Sequence, residues 1–334
     1  MKQRGFRYCR ACKTKLQKWS KTSSGRQRWH CRVCSKSLVL ERLDVAQKHQ
    51  LGWFVGWLLG MTPLAKLESS VSTFQRQTNW CWKIYPAPLM TGEIYDYLVI
   101  DAKRVGRSIC CIVASQYFVR MWRYGVRENS ELWMSTLNLL PKPSAVVCDG
   151  QKGILKALTQ LWSGVIIQRC HFHVRQNIRT KLTLNPKTMA GQDLGNHMCT
   201  LKWVDSLTLM QAFIDIFNQL FVDHKDFLGE RSKNHNPKTG QRKWWYTHRS
   251  VRSAYRQVDN LIKSEQLFAY ILHPELNLPR TTNQLEGGVN SPLQELIHRH
   301  RGMKPQHQTR LADWYLDSRT EAPYFRRKPT RNGY

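Results

Sequence analysis

The sequence predicts an α/β fold built on a mixed β-sheet, preceded by a small cysteine-bearing module and a helical region. Three observations support this prediction. From residue 94, short apolar runs of strand character follow one another; apolar residues at helical spacing then alternate with further strands; and two paired-cysteine motifs lie in the first 40 residues. Three consecutive strands followed by alternating helices and strands indicate a mixed sheet with helices on its faces.

Residues 1–40 have the cysteine spacing of a zinc ribbon. Cys9 and Cys12 form one pair, Cys31 and Cys34 form the other, and 18 residues separate the two pairs. Four thiolates are a typical tetrahedral ligand set for structural zinc, and the ion replaces a core that so short a segment can scarcely build. We therefore predict one structural Zn²⁺ with no open position for chemistry. The alternative is a chance cluster of cysteines.

The charge of this module is one-sided. Residues 1–40 contain twelve Lys or Arg and no acidic residue, with aromatic residues interleaved. A solvated charged face normally mixes both signs, so this composition favours contact with DNA, and binding to another protein is the alternative. The residues predicted to contact DNA are Arg10, Lys13, Lys15, Arg26, Arg28 and Arg32.

Residues 41–84 are predicted to be helical and to contain a helix-turn-helix. Pro63 suits the first position of a short helix, and a turn is expected near Ser69. The second helix would present its polar face to the major groove of DNA. That face consists of Ser72, Gln75, Arg76 and Asn79. The alternative is a plain helical hairpin that packs on the next domain, to which residues 85–88 form the predicted linker.

Five apolar runs define the sheet of the predicted core, which begins at residues 94–180. These runs are 94–102, 108–115, 117–124, 145–149 and 165–170. A helix is predicted at about 152–161, between the last two strands. The ribonuclease H-like fold has this order of elements, and it places one acidic residue in the first strand and a second on the fourth.

Three acidic residues stand where a two-metal site would need them. Asp101 ends the first apolar run, Asp149 ends the fourth, and Glu286 lies in a turn that leads into a predicted helix. Oxygen ligands with open positions suit Mg²⁺ or Mn²⁺. Two such ions about 4 Å apart can activate a nucleophile and stabilise the leaving oxygen of a phosphate. Taken alone, Asp149 is also a common turn residue, and Glu286 a common acid at a helix N-terminus.

The rest of the chain is predicted to complete the core around an insertion. Residues 181–279 form an all-helical insertion in this prediction, interrupted by a mobile loop at 232–243. Residues 280–320 supply the last helix of the core, and residues 321–334 form a basic tail. Trp244 and Trp245 follow the loop and could stack on a flipped base or brace a hairpin, although packing in the core is the more frequent use of such residues.

Composition restricts the class of partner. The chain of 334 residues has 52 Lys and Arg against 23 Asp and Glu, a formal net charge of +29, which favours nucleic acid as the partner. The sequence contains no apolar run long enough to span a bilayer and no signal peptide, so we expect no membrane association. We expect a cytoplasmic location, and the ten cysteines are then not a disulfide framework.

The ordered motifs of the core carry a family resemblance. Asp149 stands in Cys-Asp-Gly-Gln-Lys-Gly, Cys170 and His173 in Gln-Arg-Cys-His-Phe-His, and Glu286 in Thr-Asn-x2-Glu. Together these motifs, over about residues 94–300, resemble bacterial insertion-sequence DDE transposases of the Mutator-like superfamily. The N-terminal zinc ribbon is similar to that of one subgroup. Asp101 departs from the common first motif, because Ala-Lys-Arg follows it, and Asp96 is the alternative.

The resemblance implies a function and a site. The chain would bind the terminal repeats of its own element and cleave and join DNA strands with two Mg²⁺ (or Mn²⁺) ions held by Asp101, Asp149 and Glu286. It would act on target DNA as a homodimer or larger synaptic complex, associated with the bacterial nucleoid. Cys170 and His173 would be the family's Cys-x2-His pair. With no further Cys or His beside them, a structural or substrate-orienting role is favoured over zinc ligation.

Two other functions remain open at this stage. One is a ribonuclease H-like nuclease that cleaves DNA without joining strands. The other is a catalytically inactive DNA-binding regulator derived from a transposase. The predicted end-binding modules favour the transposase over the nuclease, and the intact acidic triad favours it over the regulator.

Overall fold

The computed structural model describes residues 9, 11–23, 25, 27–39, 43–60, 62–88, 90–235 and 242–324. The chain divides into two compact units, Met1–Ile84 and Tyr85–Tyr334. Arg10, Arg26 and residues 325–334 of the predicted basic tail lie outside the described residues. Within the described part of the chain, no helix combines the length and apolarity that crossing a membrane requires.

The N-terminal unit begins with a small antiparallel sheet and continues with helices. The strands are β1 (Gln17–Lys21), β2 (Gln27–His30) and β3 (Ser37–Val39), in that order across the sheet. The helices are α1 (Leu43–Leu59) and α2 (Val71–Thr78), with 3-10 turns at Leu64–Lys66 and Asn79–Lys83. The predicted helix from Pro63 is wrong: it is a single 3-10 turn, because Leu67 and Ser70 adopt extended backbone.

Helix α2 buries one face and exposes the other. Ser70 caps its N-terminus by accepting a hydrogen bond from the Thr73 amide, as a serine at this position commonly does. Phe74 is buried and packs edge-on against Trp53 and Trp57 of α1, with ring centroids 4.6 and 5.2 Å apart. The predicted recognition residues lie on the exposed face; they are Ser72, Gln75, Arg76 and Asn79.

The C-terminal unit is built on a mixed sheet of five strands. They are β4 (Tyr97–Val105), β5 (Ser108–Ala114), β6 (Val119–Gly125), β7 (Ala145–Cys148) and β8 (Ile166–Arg169). Their order across the sheet is β6-β5-β4-β7-β8. Strands β4, β7 and β8 run parallel, whereas β5 pairs antiparallel with β4 and β6. The predicted mixed sheet is therefore confirmed, with strand limits within a few residues of those expected.

Two helices pack on the sheet through a shared apolar core. They are α3 (Ser130–Leu137) and α4 (Lys152–Leu161). Trp133 of α3 and Ile154 of α4 are fully buried with Leu98, Ile100 and Val146 of the strands. This core fixes β4 against β7, the two strands that carry the first two acidic residues.

A helical segment follows β8 and has a core of its own. Its helices are α5 (His171–Leu182), α6 (Met189–Thr200), α7 (Leu207–Asp223), α8 (Lys225–Gly229), α9 (Arg249–Lys263) and α10 (Ala269–Leu272). Val174, Leu194, Phe217 and Tyr255 are buried together at its centre.

The prediction that this segment is all helical is wrong, and residues 236–241 of the predicted mobile loop at 232–243 lie outside the described residues. Strands β9 (Arg231–His235) and β10 (Arg242–Tyr246) pair as an antiparallel hairpin. The hairpin has no alternating apolar pattern and is stabilised by cation–π stacking. The Arg231 guanidinium lies 4.5 Å from the ring centroid of Trp244, and that of Arg252 lies 3.8 Å from the centroid of Tyr246.

The last part of the unit returns to the sheet. It comprises α11 (Asn283–Leu285), a π-helix (Glu286–Asn290), α12 (Ser291–Arg299) and α13 (Pro305–Ser318). Helix α13 is buried against the sheet, where Trp122 of β6 donates a 2.9 Å hydrogen bond from Nε1 to Asp313. The single helix predicted for 280–320 is therefore two: a continuous helical run over 283–299 with a π-helical segment that starts at Glu286, and α13 after a break between Arg299 and Pro305.

Candidate functional site

The pairing of β4 with β7 brings Asp101 and Asp149 to neighbouring positions. The two strands run parallel, and Val99 is in register with Val147. Asp101 and Asp149 each lie two residues beyond this pair, at the same end of the sheet. Asp101 remains inside β4, where it is paired with Ile112 of β5, whereas Asp149 follows the end of β7.

The π-helix brings Glu286 to the same place. Asn290, at its other end, is buried and donates a 2.6 Å hydrogen bond from Nδ2 to Oδ2 of Asp101. Asn290 therefore reaches Asp101, in the middle of β4, from the same turn of the chain that begins at Glu286. A π-helix is rare, and single π-turns inside helices are frequent at functional sites.

The electrostatics of Asp101 indicate that negative charge converges here. Burial raises the pKa of Asp101 to about 7, and the negative charges of Glu286 and Asp149 add to this effect, against the hydrogen bond from the Ala102 amide. Asp96, the alternative first acid, lies on the surface before β4. Glu286 and Asp149 are thus near enough to raise the pKa of Asp101, but the carboxylate oxygens of the three residues do not all lie within 4.8 Å of one another.

The turn after β7 is held by Arg169, a residue that the sequence did not single out. Its buried guanidinium donates hydrogen bonds of 3.2 and 2.9 Å from Nε and Nη2 to the carbonyl of Asp149. Gly150 has φ +75°, and a Cβ there would lie 1.8 Å from the Arg169 guanidinium. Asp149 is also a turn residue, because its Oδ1 accepts a 2.9 Å hydrogen bond from the Gln151 amide.

Cys170 and His173 lie beside Glu286. Strand β8 ends at Arg169, close to the predicted limit, and α5 begins at His171. Residues three apart on a helix share a face, so Cys170 and His173 point to one place. The Cys170 sulfur, a His173 ring nitrogen and a Glu286 carboxylate oxygen all lie within 4.8 Å of one another.

Thr282 joins these residues into a hydrogen-bonded cluster. Its amide and its hydroxyl both lie 3.3 Å from the Cys170 sulfur, and the hydroxyl also contacts Oε1 of Glu286. Burial raises the pKa of the Cys170 thiol, but the neighbouring His173 and Thr282 outweigh burial and lower that pKa overall. The Cys170 sulfur in turn raises the pKa of His173 to about 9, against the effect of burial.

The N-terminal cysteines also come together. Cys9, Cys12, Cys31 and Cys34 have their sulfur atoms within 4.8 Å of one another, around a small core that includes Leu16 and Trp29. These four cysteines could hold a metal ion such as zinc. The Thr14 hydroxyl, 3.3 Å from the sulfur, and the Cys34 amide lower the pKa of Cys31 to about 6. A lowered thiol pKa favours the thiolate, which is the form that binds metal.

The predicted DNA-contacting residues that the structure describes are on the surface. Four of them belong to the cysteine-bearing module of residues 1–40 and are all exposed; they are Lys13, Lys15, Arg28 and Arg32. Trp244 is 51% exposed, but one of its faces is covered by Arg231, and Trp245 is half-buried. The hairpin therefore uses Trp244 partly for its own packing.

The residues that sequence reasoning missed are those that hold the predicted ones. Asn290 holds Asp101, Thr282 holds Cys170 and Glu286, and Arg169 holds the Asp149 turn. Only Asn290 had a local signal, because it follows Glu286 by about one helical turn on the predicted helix.

Comparison with known proteins does not assign a function to this site. The chain matches no protein-family model, and a search of curated proteins finds no match. The functional conclusion therefore depends on the geometry and on the sequence motifs.

Proposed function

We propose that this protein is a DDE-type DNA transposase that cleaves DNA at the ends of its own element and joins those ends to target DNA. The observation that supports the proposal is that Asp101 and Asp149 occupy neighbouring positions on adjacent parallel strands, and that Asn290 of the π-helix that begins at Glu286 hydrogen-bonds Asp101. The strand order β6-β5-β4-β7-β8 supports it, since this is the order of a ribonuclease H-like core. In that assignment, the helical segment with its β9–β10 hairpin is an insertion before the last acid.

The chemistry assigned to the site is phosphodiester cleavage followed by strand transfer. Asp101, Asp149 and Glu286 would hold two Mg²⁺ or Mn²⁺ ions, which supply Lewis-acid stabilisation of a phosphoryl group and activate the attacking oxygen. Asn290 fixes Oδ2 of Asp101, and Arg169 fixes the backbone of Asp149. These contacts keep the ligands in place before substrate binds, which is how a site avoids reorganisation during the reaction.

Recognition of DNA is assigned to the N-terminal unit and to the overall charge. The exposed cations of the cysteine module and the exposed polar face of α2 would bind the terminal repeats. The net charge of +29 supports a polyanionic substrate. Because two element ends must be held together, the active form would contain two or more copies of the chain.

The test is a cleavage assay with purified protein, Mg²⁺ and DNA that carries the element's own ends. We expect mapped nicks at the ends and joined products, and we expect Asp149→Ala to abolish both while end binding is retained. Asp96→Ala, a change of a surface aspartate outside the site, is the matched control and should cleave normally. An Asp149→Ala protein that nicks at the wild-type rate would refute the assignment.

The same assay separates the two other functions. Nicks without joined products would identify a nuclease that does not transfer strands. Binding of the ends without any nick in Mg²⁺ or Mn²⁺ would identify a DNA-binding regulator. In both cases the proposal of a transposase would be wrong.

A further inference from the structure

We propose that Cys170, His173 and Glu286 form a second transition-metal site, separate from the four-cysteine module, that binds one Zn²⁺ ion. A thiolate and an imidazole together select a softer cation than Mg²⁺, and zinc is the common ion for such a ligand set. The inference rests on the geometry of these side chains and does not require the proposed DNA chemistry. It extends the sequence-based view, in which only two ligands were apparent.

The separation of the ligand atoms suits a single ion. Zinc bonds of about 2.3 Å to sulfur and about 2.0–2.2 Å to nitrogen or oxygen place tetrahedral ligands roughly 3.3–3.8 Å apart. The three ligand atoms lie within 4.8 Å of one another, and Nδ1 of His173 is 3.5 Å from Oε1 of Glu286. Small rotations of the side chains therefore complete the site, without movement of the backbone.

The backbone fixes two ligands in one turn. Cys170 is the residue that precedes α5, and His173 lies in the first turn of that helix. The thiol of Cys170 is fully buried, whereas His173 and Glu286 are half-buried. A thiolate at a helix N-terminus is stabilised by the adjacent amide groups, which favours the ligating form.

A buried nitrogen atom in the site is poorly satisfied. Nδ1 of His173 is buried and makes no hydrogen bond of good geometry; a Glu286 carboxylate oxygen lies 3.5 Å away and the Cys170 sulfur is also nearby. Buried polar atoms in folded proteins are nearly always satisfied, so such an atom requires an explanation. A cation between His173, Cys170 and Glu286 would supply a better partner for Nδ1 and neutralise the carboxylate.

Thr282 would orient two of the proposed zinc ligands, Cys170 and Glu286, through hydrogen bonds. Its amide and hydroxyl both approach the Cys170 sulfur at 3.3 Å, and the hydroxyl also contacts Glu286. Hydrogen bonds of this kind orient metal ligands, and their loss typically weakens metal binding about 10- to 100-fold. Both of these side-chain contacts of Glu286, to Thr282 and to His173, use Oε1.

The proposed zinc ion would lie between Glu286 and the N-terminal end of α5. Three protein ligands leave one coordination position open, as in catalytic rather than structural zinc sites. The ion would also hold Glu286 in one orientation whether or not Mg²⁺ is bound. Glu286 would then connect a soft-metal position on α5 with the hard-metal position beside Asp101.

The test is the zinc content of the full-length chain, measured by mass spectrometry after purification without chelators. We expect about two zinc ions per chain in the wild type, one in each site. Cys31→Ser and Cys170→Ser should each lower the content to about one. Cys199→Ser, which removes an exposed thiol of the same unit, is the matched control and should keep the wild-type content.

A second measurement keeps the proposal falsifiable if Cys170→Ser fails to fold. In a Cys31→Ser/Cys34→Ser protein, Co²⁺ should give a sulfur-to-cobalt absorption band that Glu286→Gln or His173→Asn weakens, at unchanged circular dichroism. A wild-type chain with one zinc ion, all of it lost in Cys31→Ser, would overturn the proposal and leave a metal-free hydrogen-bonded cluster. Neither readout depends on DNA cleavage, so failure here and failure of the transposase assignment are distinguishable.

Discussion

The ionised form of Asp101 lowers the stability of the folded protein, because the side chain is buried near other carboxylates. Its pKa is raised to about 7 by burial and by two neighbouring carboxylates, whereas in the unfolded chain it titrates near its ordinary value of 3.8. As pH rises from about 4 to about 7, Asp101 loses its proton in the unfolded chain before it does so in the folded protein. The contribution of Asp101 to stability is therefore greatest below about pH 4 and falls until pH 7.

We predict that Asp101→Asn stabilises the protein above pH 7 when no Mg²⁺ is added. The amide cannot ionise, so the variant avoids a cost of at most about 4 kcal/mol in the free energy of unfolding. Denaturant unfolding at pH 8 and pH 4 measures this difference, which should nearly vanish at the lower pH. Asp96→Asn is the surface control and should change little at either pH.

Added Mg²⁺ should reverse the order of stability. The wild-type carboxylates gain a ligand that binds only the folded state, and the Asp101→Asn site loses one of its oxygen ligands for that ion. An Asp101→Asn protein that is less stable than wild type at pH 8 without Mg²⁺ would contradict the view that like charges converge on this residue.

Substitution of Gly150 tests whether Arg169 stabilises the turn that contains Asp149. We predict that Gly150→Ala destabilises the protein by more than the cost of about 1–2 kcal/mol for a left-handed backbone alone, because the new Cβ collides with the Arg169 guanidinium. Gly164→Ala is the matched control, since Gly164 has a similar φ of +72° and open space around it. Equal losses in unfolding free energy for the two variants would contradict the role of Arg169.

At the residue scale, the sequence suggested which acidic residues act together but not which residues hold them in place. Asp101, Asp149 and Glu286 were visible because each follows an apolar run or a turn motif. Asn290 and Thr282 were not, since their partners lie 189 and 112 residues away. A polar residue whose partner is distant in sequence has no local pattern, and only the fold shows the contact.

At the scale of elements, apolar runs predicted the sheet well because buried parallel strands read as continuous apolar segments. The β9–β10 hairpin was predicted only as one possible use of the aromatic residues that follow the loop, because its strands lack an apolar face and Arg231 stacks on Trp244 instead. The π-turn at Glu286 escaped prediction. A π-turn differs from an α-turn by one residue of register, which periodicity in a short polar segment cannot reveal.

The π-turn should be essential to the site. We predict that deletion of Gly288 abolishes metal-dependent cleavage, because removal of one residue rotates the preceding residues by about 100° relative to α12. Glu286 and Asn290 could then no longer both face Asp101. Gly288→Ala, where a Cβ meets open space, is the control and should keep activity. Full cleavage by the deletion variant would show that the π-turn does not position the acid.

At the scale of the whole molecule, the sequence predicted two kinds of module, and the chain divides into two units at Ile84. The +29 charge is unevenly placed, since residues 1–40 carry twelve cations and no acid. The described cations of that stretch are exposed, so they are free to meet a phosphate backbone. Charge of this kind acts on affinity and association more than on the fold.

Removal of residues 1–40 should therefore change how binding depends on salt. Each phosphate contact releases counterions, so the slope of log affinity against log salt concentration steepens by about 0.9 per contact on duplex DNA. We predict that the truncated chain binds end DNA more weakly and with a shallower slope, measured by fluorescence anisotropy across a salt series. Substitution of Lys13, Lys15, Arg28 and Arg32 by glutamine in the full chain, with the cysteines intact, separates lost charge from lost structure. An unchanged slope in both variants would place end recognition on α2 or on the second unit instead.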